Sequence, residues 1–212
     1  MYCSKTDIEN YLLTTIDSSF NTPISSWIAS VSKWIDNYTG RTFEEVNEVK
    51  KYDGNGKESL NVDDLISVDK IWFVANDATG DNMTIELAST DYYLYRDSSA
   101  NANGKPYNRI VLNPNGNNRE FPGWAIQNVW IKGNWGYSAI VPDDIKMVAV
   151  KLVSALVRQG KDSGDIKSFS EGDLSITYND FQKTLDSDLS VKGILDWYKK
   201  KERIISFKAI RV

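Results

Sequence analysis

The sequence predicts an α+β protein. A small helical bundle is formed by the N- and C-terminal helices, an antiparallel β-rich domain is inserted between them, and a strand-like tail closes the chain. Three observations predict this. Apolar residues recur at helical spacing up to residue 45 and again after 142, they fall in short runs between turn dipeptides over 46–138, and the last nine residues alternate apolar with polar or basic ones. The 212 residues suit one domain or slightly more. A chain of this size buries roughly 70% of its unfolded surface and needs no covalent staple.

The first element reads as a helix because Ser4 and Asp7 have the spacing of a capping box, with Ile8, Tyr11, Leu12 and Ile16 as its apolar stripe. A second helix follows more clearly. Pro23 suits its first position, and Ile24, Trp27, Ile28, Val31, Trp34, Ile35 and Tyr38 repeat at i, i+3, i+4 and i+7. Ser25, Ser26, Ser30, Lys33, Asp36 and Asn37 take the wet face, and Gly40 ends the helix.

From Val46 the period becomes that of strands. The dipeptides Asp53-Gly54, Asn55-Gly56, Thr79-Gly80, Asn103-Gly104 and Asn115-Gly116 mark turns. Between them lie candidate strands Glu48 to Tyr52, Ser67 to Val74, Met83 to Leu87, Tyr92 to Arg96, Arg109 to Leu112 and Gln127 to Lys132. A helix is expected after Pro142, with Asp143 and Asp144 in its first turn, Ile145, Val148, Ala149, Leu152, Ala155 and Leu156 as its stripe, and Gly160 as its stop. A loop over 161–165, a short strand Leu174 to Tyr178 and a last helix Ser190 to Lys201, with Val191, Ile194, Leu195 and Tyr198 on one side, complete the order.

None of these helices can bury its stripe alone, so the two ends of the chain pack together. Residues 1–45 and 139–203 form a split helical domain, 46–138 the inserted β-rich domain and 204–212 a docking tail. An antiparallel sheet brings its ends close together, as an insertion requires.

Composition excludes whole classes of chemistry. With no His, the Ser-His-Asp and Cys-His nucleophile schemes and the His-containing zinc sites are closed, and a single Cys forms neither an internal disulfide nor a thiolate cage. The 25 Lys and Arg against 29 Asp and Glu give a formal net charge of −4, which argues against general affinity for nucleic acid or anionic lipid. No basic segment followed by an apolar core opens the sequence, so export is not expected and a cytoplasmic protein is the default. Met147 to Val157, the most apolar stretch, contains Lys151 and is too short to span a bilayer.

Asp53-Gly54-Asn55-Gly56-Lys57 lacks the spacing of a phosphate-binding loop and reads as a hairpin turn; it also lacks the bidentate Glu of a calcium loop. The carboxylate pairs Asp63-Asp64, Asp143-Asp144 and Asp186 with Asp188 are explained by a turn and two helix N-termini. No catalytic, metal-binding or cofactor-binding residue is assigned, and the chain is not read as an enzyme.

Among the seven Trp residues, Trp27 and Trp34 belong to the second helix stripe. Trp72, Trp124, Trp130 and Trp135 fall in the β region, either as core or as an exposed platform for sugar or a partner. Trp130 interrupts the alternation of Val129 and Ile131, so it faces the opposite side of its strand. The basic cluster Lys199, Lys200, Lys201 and Arg203 either complements a helix C-terminus or docks on a partner. The apolar residues that follow it, Ile204, Ile205, Phe207, Ile210 and Val212, resemble a strand that completes a sheet or groove, in its own fold or in a partner.

Five segments in order resemble the head-tail connector (adaptor) proteins of tailed bacteriophages: Trp34 to Phe43, Tyr52-Asp53-Gly54, Asp91 to Tyr95, Trp135-Gly136-Tyr137 with Val141 to Lys146, and Ser170 to Tyr178. The resemblance covers nearly the whole chain and implies a structural virion protein of the neck, assembled in the host cytoplasm. Such proteins form a ring, usually dodecameric, beneath the portal protein. The ring extends the DNA channel, lets double-stranded DNA pass without specific binding, and offers a surface to downstream stopper, tail-completion or tail proteins. In this family the C-terminal segment commonly reaches onto the portal, which implies docking by Lys199 to Val212. No membrane is involved. The second reading open from the residues is a carbohydrate- or surface-binding β module on a helical mount, and a hydrolase using the Asp/Glu pairs is a third.

Overall fold

A computed structural model describes residues 1–76, 82–96, 104–123, 125–162 and 188–200. Among them it contains α1 (Lys5–Leu12), a 3-10 turn (Ser18–Phe20), α2 (Asn21–Thr39), β1 (Val46–Tyr52), β2 (Ser59–Asn76), β3 (Asn82–Glu86), β4 (Tyr92–Tyr95), β5 (Tyr107–Leu112), β6 (Val129–Trp135), α3 (Asp143–Asp162) and α4 (Leu189–Tyr198). The fold is α+β, with helices and a six-stranded antiparallel sheet. The chain divides into two compact units. One comprises Met1–Tyr2 and Thr42–Lys146, the other Cys3–Arg41 and the residues from Met147 onward.

In the helical unit, α1 starts at the expected capping box. The Asp7 amide donates to Ser4 Oγ at 3.2 Å and the Ser4 amide to Asp7 Oδ2 at 2.8 Å, so two orphan donors are satisfied reciprocally. The helix is shorter than its pattern, because Leu13 turns left-handed at φ 52 and closes it. Ile16 is buried beyond the helix end, and Tyr11 is exposed. Only Ile8 of the expected stripe is a buried helical residue.

The stripe of α2 is buried as its period requires: Ile24, Trp27, Ile28, Val31, Trp34 and Ile35 are all 5% exposed or less. Two buried hydroxyls are satisfied by the preceding turn, Ser32 Oγ on the Ile28 carbonyl and Thr39 Oγ1 on the Ile35 carbonyl, each at 2.8 Å. Pro23 is the third helical residue rather than the first, still within the turn where a missing N–H costs nothing. Gly40 takes φ 66 and its amide donates to the Asp36 carbonyl at 2.8 Å, a left-handed cap that a Cβ would disfavour.

The α3 helix departs from the single stripe. Val150, Val153, Ser154 and Val157 are buried together with Val148, Ala149, Leu152 and Leu156, so burial reaches well around its circumference, and the helix runs past Gly160 to Asp162. Hydrogen bonds join α4 to the end of α2. Tyr38 Oη donates to Asp196 Oδ1, Arg41 Nε to the Tyr198 carbonyl and the Lys200 amide to the Thr39 carbonyl, all at 2.7 Å. Val191, Leu195 and Tyr198 are the buried side of α4.

The sheet is ordered β1-β6-β2-β5-β4, with β3 on β2. Its centre is the 18-residue β2, whose first part pairs with β5 and whose second pairs with β6 and β3. Register shifts fall between Asn61 and Leu65, Leu65 and Ser67, and Val68 and Lys70; such irregularities bend a strand and let it serve different neighbours along its length. Asp63 and Asp64, read as a turn, lie inside this strand, which is why its first half was not expected. The inner face packs Leu60, Leu65, Ile71, Phe73, Ile110, Phe121, Val129, Ile131 and Trp135 into one core.

The Asp53 to Lys57 turn is not a hairpin between partners. It leads from β1 to β2, but β6 lies between those strands and pairs with both. Instead, the turn is clasped by the loop before β6. The Gly54 amide donates to Asn128 Oδ1 at 2.8 Å, the Gly56 amide to the Phe121 carbonyl at 3.0 Å and the Phe121 amide to the Lys57 carbonyl at 2.8 Å. Asn128, itself buried, also donates through Nδ2 to the Pro122 carbonyl at 2.9 Å. The expected strand Leu174 to Tyr178, the turn Thr79-Gly80 and the tail 204–212 lie outside the described residues.

Candidate functional site

The docking residues read from the sequence begin where α4 ends. Lys199 caps that helix, its amide donating to the Asp196 carbonyl, and its ammonium stands 4.9 Å from the centre of the Tyr38 ring. Lys200 is exposed, with its backbone held on Thr39. Both therefore belong to the junction of α4 with α2, where cations offset the helix dipole. Lys201, Arg203, Ile204, Ile205, Phe207, Ile210 and Val212 lie outside the described residues.

The N-terminus of α4 is held by charge. Asp188 Oδ1 accepts from the amides of Ser190 and Val191, and Lys151 Nζ approaches Asp188 Oδ2 at 3.2 Å. The Ser190 hydroxyl first and Lys151 second hold the Asp188 carboxyl down at about 2. This carboxylate is the helix cap that the sequence suggested, while Asp186, its partner in that reading, lies outside the described residues. Asp143 and Asp144 likewise occupy the first turn of α3, and Asp63 accepts hydrogen bonds from Tyr52 Oη at 3.2 Å and Lys50 Nζ at 3.3 Å. Burial keeps the Tyr52 hydroxyl protonated well above the ordinary phenol range. Among the described residues no group of three His, Cys, Asp or Glu is placed to hold a metal, and no helix is long and apolar enough to cross a membrane.

A second surface lies in the other unit, on the outer face of the sheet. Lys51 opposes Trp130 and Trp130 opposes Trp72, so the three form one row across β1, β6 and β2, continued by Glu86 on β3. In the next row Val49 opposes Lys132, which opposes Lys70. Trp72 and Trp130 are both half-buried, and Trp130 faces away from Val129 and Ile131 as the alternation required. The Lys51 ammonium stands 4.2 Å from the Trp130 ring centre and that of Lys70 5.9 Å from Trp72. The Trp72 indole donates to Glu86 at 3.1 Å, and the Trp130 indole to the Gln127 carbonyl at 2.7 Å. Trp135 faces the core and is 2% exposed, while Trp124 lies outside the described residues.

Two features escaped the sequence reading. The Lys51-Trp130-Trp72 row depends on which strands pair, and no local pattern reports that. Leu189 and Trp197, 78% and 62% exposed on α4, were legible as the apolar residues that fall off the buried stripe of that helix.

The fold thus described is that of a two-unit α+β chain with a bent antiparallel sheet and helices drawn from both chain ends. No protein-family model matches the chain, and no curated protein matches it. Solved structures do. The chain is similar to a component of the neck of an empty gene transfer agent (GTA) particle, computed with C6 symmetry, at TM-score 0.53 and 10% identity over 95% of this chain and 90% of that one. It is also similar to a component of the neck of the native particle, computed with C12 symmetry, at TM-score 0.51 and 13% identity over the same shares. At such identities the likeness is one of fold.

Proposed function

We propose that this chain is a structural subunit of the neck ring of a phage-like particle, a head-tail connector that binds beneath the portal, continues the DNA channel and offers a surface to downstream neck or tail proteins. The observation that carries this reading is the likeness of fold, over 95% of the chain, to components of necks computed with C6 and C12 symmetry. The absence of His and the assignment of carboxylate pairs to caps and strand contacts are consistent with a scaffold role. An acidic chain suits a conduit for DNA, since a wall making several Lys or Arg contacts would hold phosphates and slow transit. The apolar tail Ile204 to Val212, with the basic run before it, is the proposed portal-docking segment. The Lys51 ammonium over the Trp130 ring argues for a protein-facing role of the outer sheet rather than a sugar platform, because stacking needs a clear ring face.

Electron microscopy of the protein mixed with portal-bearing heads tests the proposal. A ring is expected beneath the portal, and deletion of Ile204 to Val212 is expected to abolish its attachment. A truncated chain that attaches as well as the full one would remove the tail assignment, and heads that acquire no ring would remove the connector reading.

A further inference from the structure

We infer that the outer face of the sheet, built on Lys51, Lys70, Lys132, Trp72, Trp130 and Val49, is the surface by which one copy of this chain takes hold of the acidic surface of a second copy. The side chains of this face fall in two adjacent rows across β1, β6 and β2. Neighbouring strands are about 4.8 Å apart and same-face residues along a strand about 7 Å apart, so three ammonium groups and two indoles share one small patch. Among the described residues, the carboxylates of Glu86 and Asp69 reach it. Glu86 is engaged by Lys70 at 3.1 Å, and Asp69 accepts from Asn47 at 2.9 Å. Lys51 and Lys132, both exposed, face no carboxylate among the described residues, so the patch carries excess positive charge.

The surrounding unit has the opposite balance. Residues 42–146 contain ten Lys and Arg against sixteen Asp and Glu, and with this face set aside seven bases remain against fourteen acids. One copy therefore carries both a cationic apolar face and an acidic remainder. That is the complementarity of a heterologous contact, in which different patches of identical subunits meet and a rotation that closes gives a ring. A single-stranded nucleic acid fits less well. Bases need open ring faces, whereas Lys51 stands over Trp130. The inference names the contact within the ring proposed above and rests on that reading only for closure, not for the contact itself.

The test uses the full chain, with Lys51→Glu and Lys132→Glu combined, against a Lys33→Glu and Lys57→Glu control that changes net charge equally at exposed sites elsewhere. Sedimentation velocity over a concentration series follows assembly at about 20 mM and about 300 mM NaCl, where screening differs several-fold. The wild-type chain is expected to assemble more readily at low salt. The charge-reversed face should need at least roughly tenfold more protein, with the control and the Lys51→Arg, Lys132→Arg pair close to wild type. Circular dichroism establishes that each variant is folded. Assembly of the reversed face at wild-type concentrations, equal loss in the control, or a wild-type chain that stays monomeric throughout would overturn the inference. So would a monomeric wild-type chain that binds a thymidine oligonucleotide through the same lysines. Negative-stain images separate the two ideas: closed rings from both proteins keep the ring and remove this contact, whereas open or dimeric assemblies lost only in the reversed variant keep the contact and remove the ring.

Discussion

Gly54 offers the sharpest stability prediction, because its backbone lies against the loop that clasps it. A Cβ placed there would overlap the Pro122 carbonyl oxygen and lie 2.8 Å from its carbon and 3.0 Å from Asn128 Oδ1. Backbone has no rotamer by which to retreat, so Gly54→Ala must push the 121–128 loop away from the turn. That motion weakens the bonds Gly54 to Asn128, Asn128 to Pro122 and Gly56 to Phe121, and it draws on Phe121, which is fully buried and meets Phe73 edge-on at 5.7 Å. Overpacking costs about 1–3 kcal/mol. Two or three hydrogen bonds at about 0.5–1.5 kcal/mol each raise the loss to about 3–5 kcal/mol. For a unit of this size, that lowers the thermal midpoint by about 10–25 °C. Gly56, two residues on, supplies the comparison. It has φ +65 but nothing within 4 Å of its Cβ position, so Gly56→Ala bears only left-handed strain, about 1–2 kcal/mol. Urea and thermal unfolding followed by Trp fluorescence measure both. A loss below about 1 kcal/mol for Gly54→Ala, or equal losses for the two, would refute the clasp.

Trp135→Phe keeps an aromatic in the core but removes the indole N–H that donates to the Glu48 carbonyl at 3.0 Å. The expected cost is about 1–3 kcal/mol, with β1 amides exchanging faster than those of β2 in hydrogen exchange. At the start of α4, the Asp188 carboxyl is held down at about 2 by Ser190 and Lys151, below its unfolded value of about 3.9. Because the folded value is the lower one, its stabilisation is complete above about pH 4 and is lost as pH falls toward 2. Asp188→Asn should flatten that part of the acid unfolding profile, and an unchanged profile would contradict the role given to the cap.

Local features were legible where a few neighbouring residues decide the outcome. Ser4 with Asp7, the α2 stripe ending at Gly40 and the Asp188 cap all act within one or two helical turns, so spacing alone reports them. The pattern overreached where geometry interrupts the period. Leu13 turns left-handed before the α1 stripe is complete, and α3 is buried around more of its circumference than one stripe. In the sheet, Asp63-Asp64 has the composition of a turn but sits in an irregular part of β2, where Asp63 is satisfied by Tyr52 and Lys50 from β1.

The sequence by itself determined the class and order of the elements, two helical ends around a β-rich middle, because helix and strand periods are properties of consecutive residues. It also closed imidazole chemistry, since no His is present, and with a single Cys it closed an internal disulfide and a thiolate cage. Only the tertiary structure decided that β6 lies between β1 and β2, that the Asp53 to Lys57 turn is clasped by the loop before β6, and that Lys51, Trp130 and Trp72 share one row. Strand partners are chosen by how the whole sheet closes over its core. Residues as far apart as Val46 and Trp135 therefore become neighbours without any local pattern recording it.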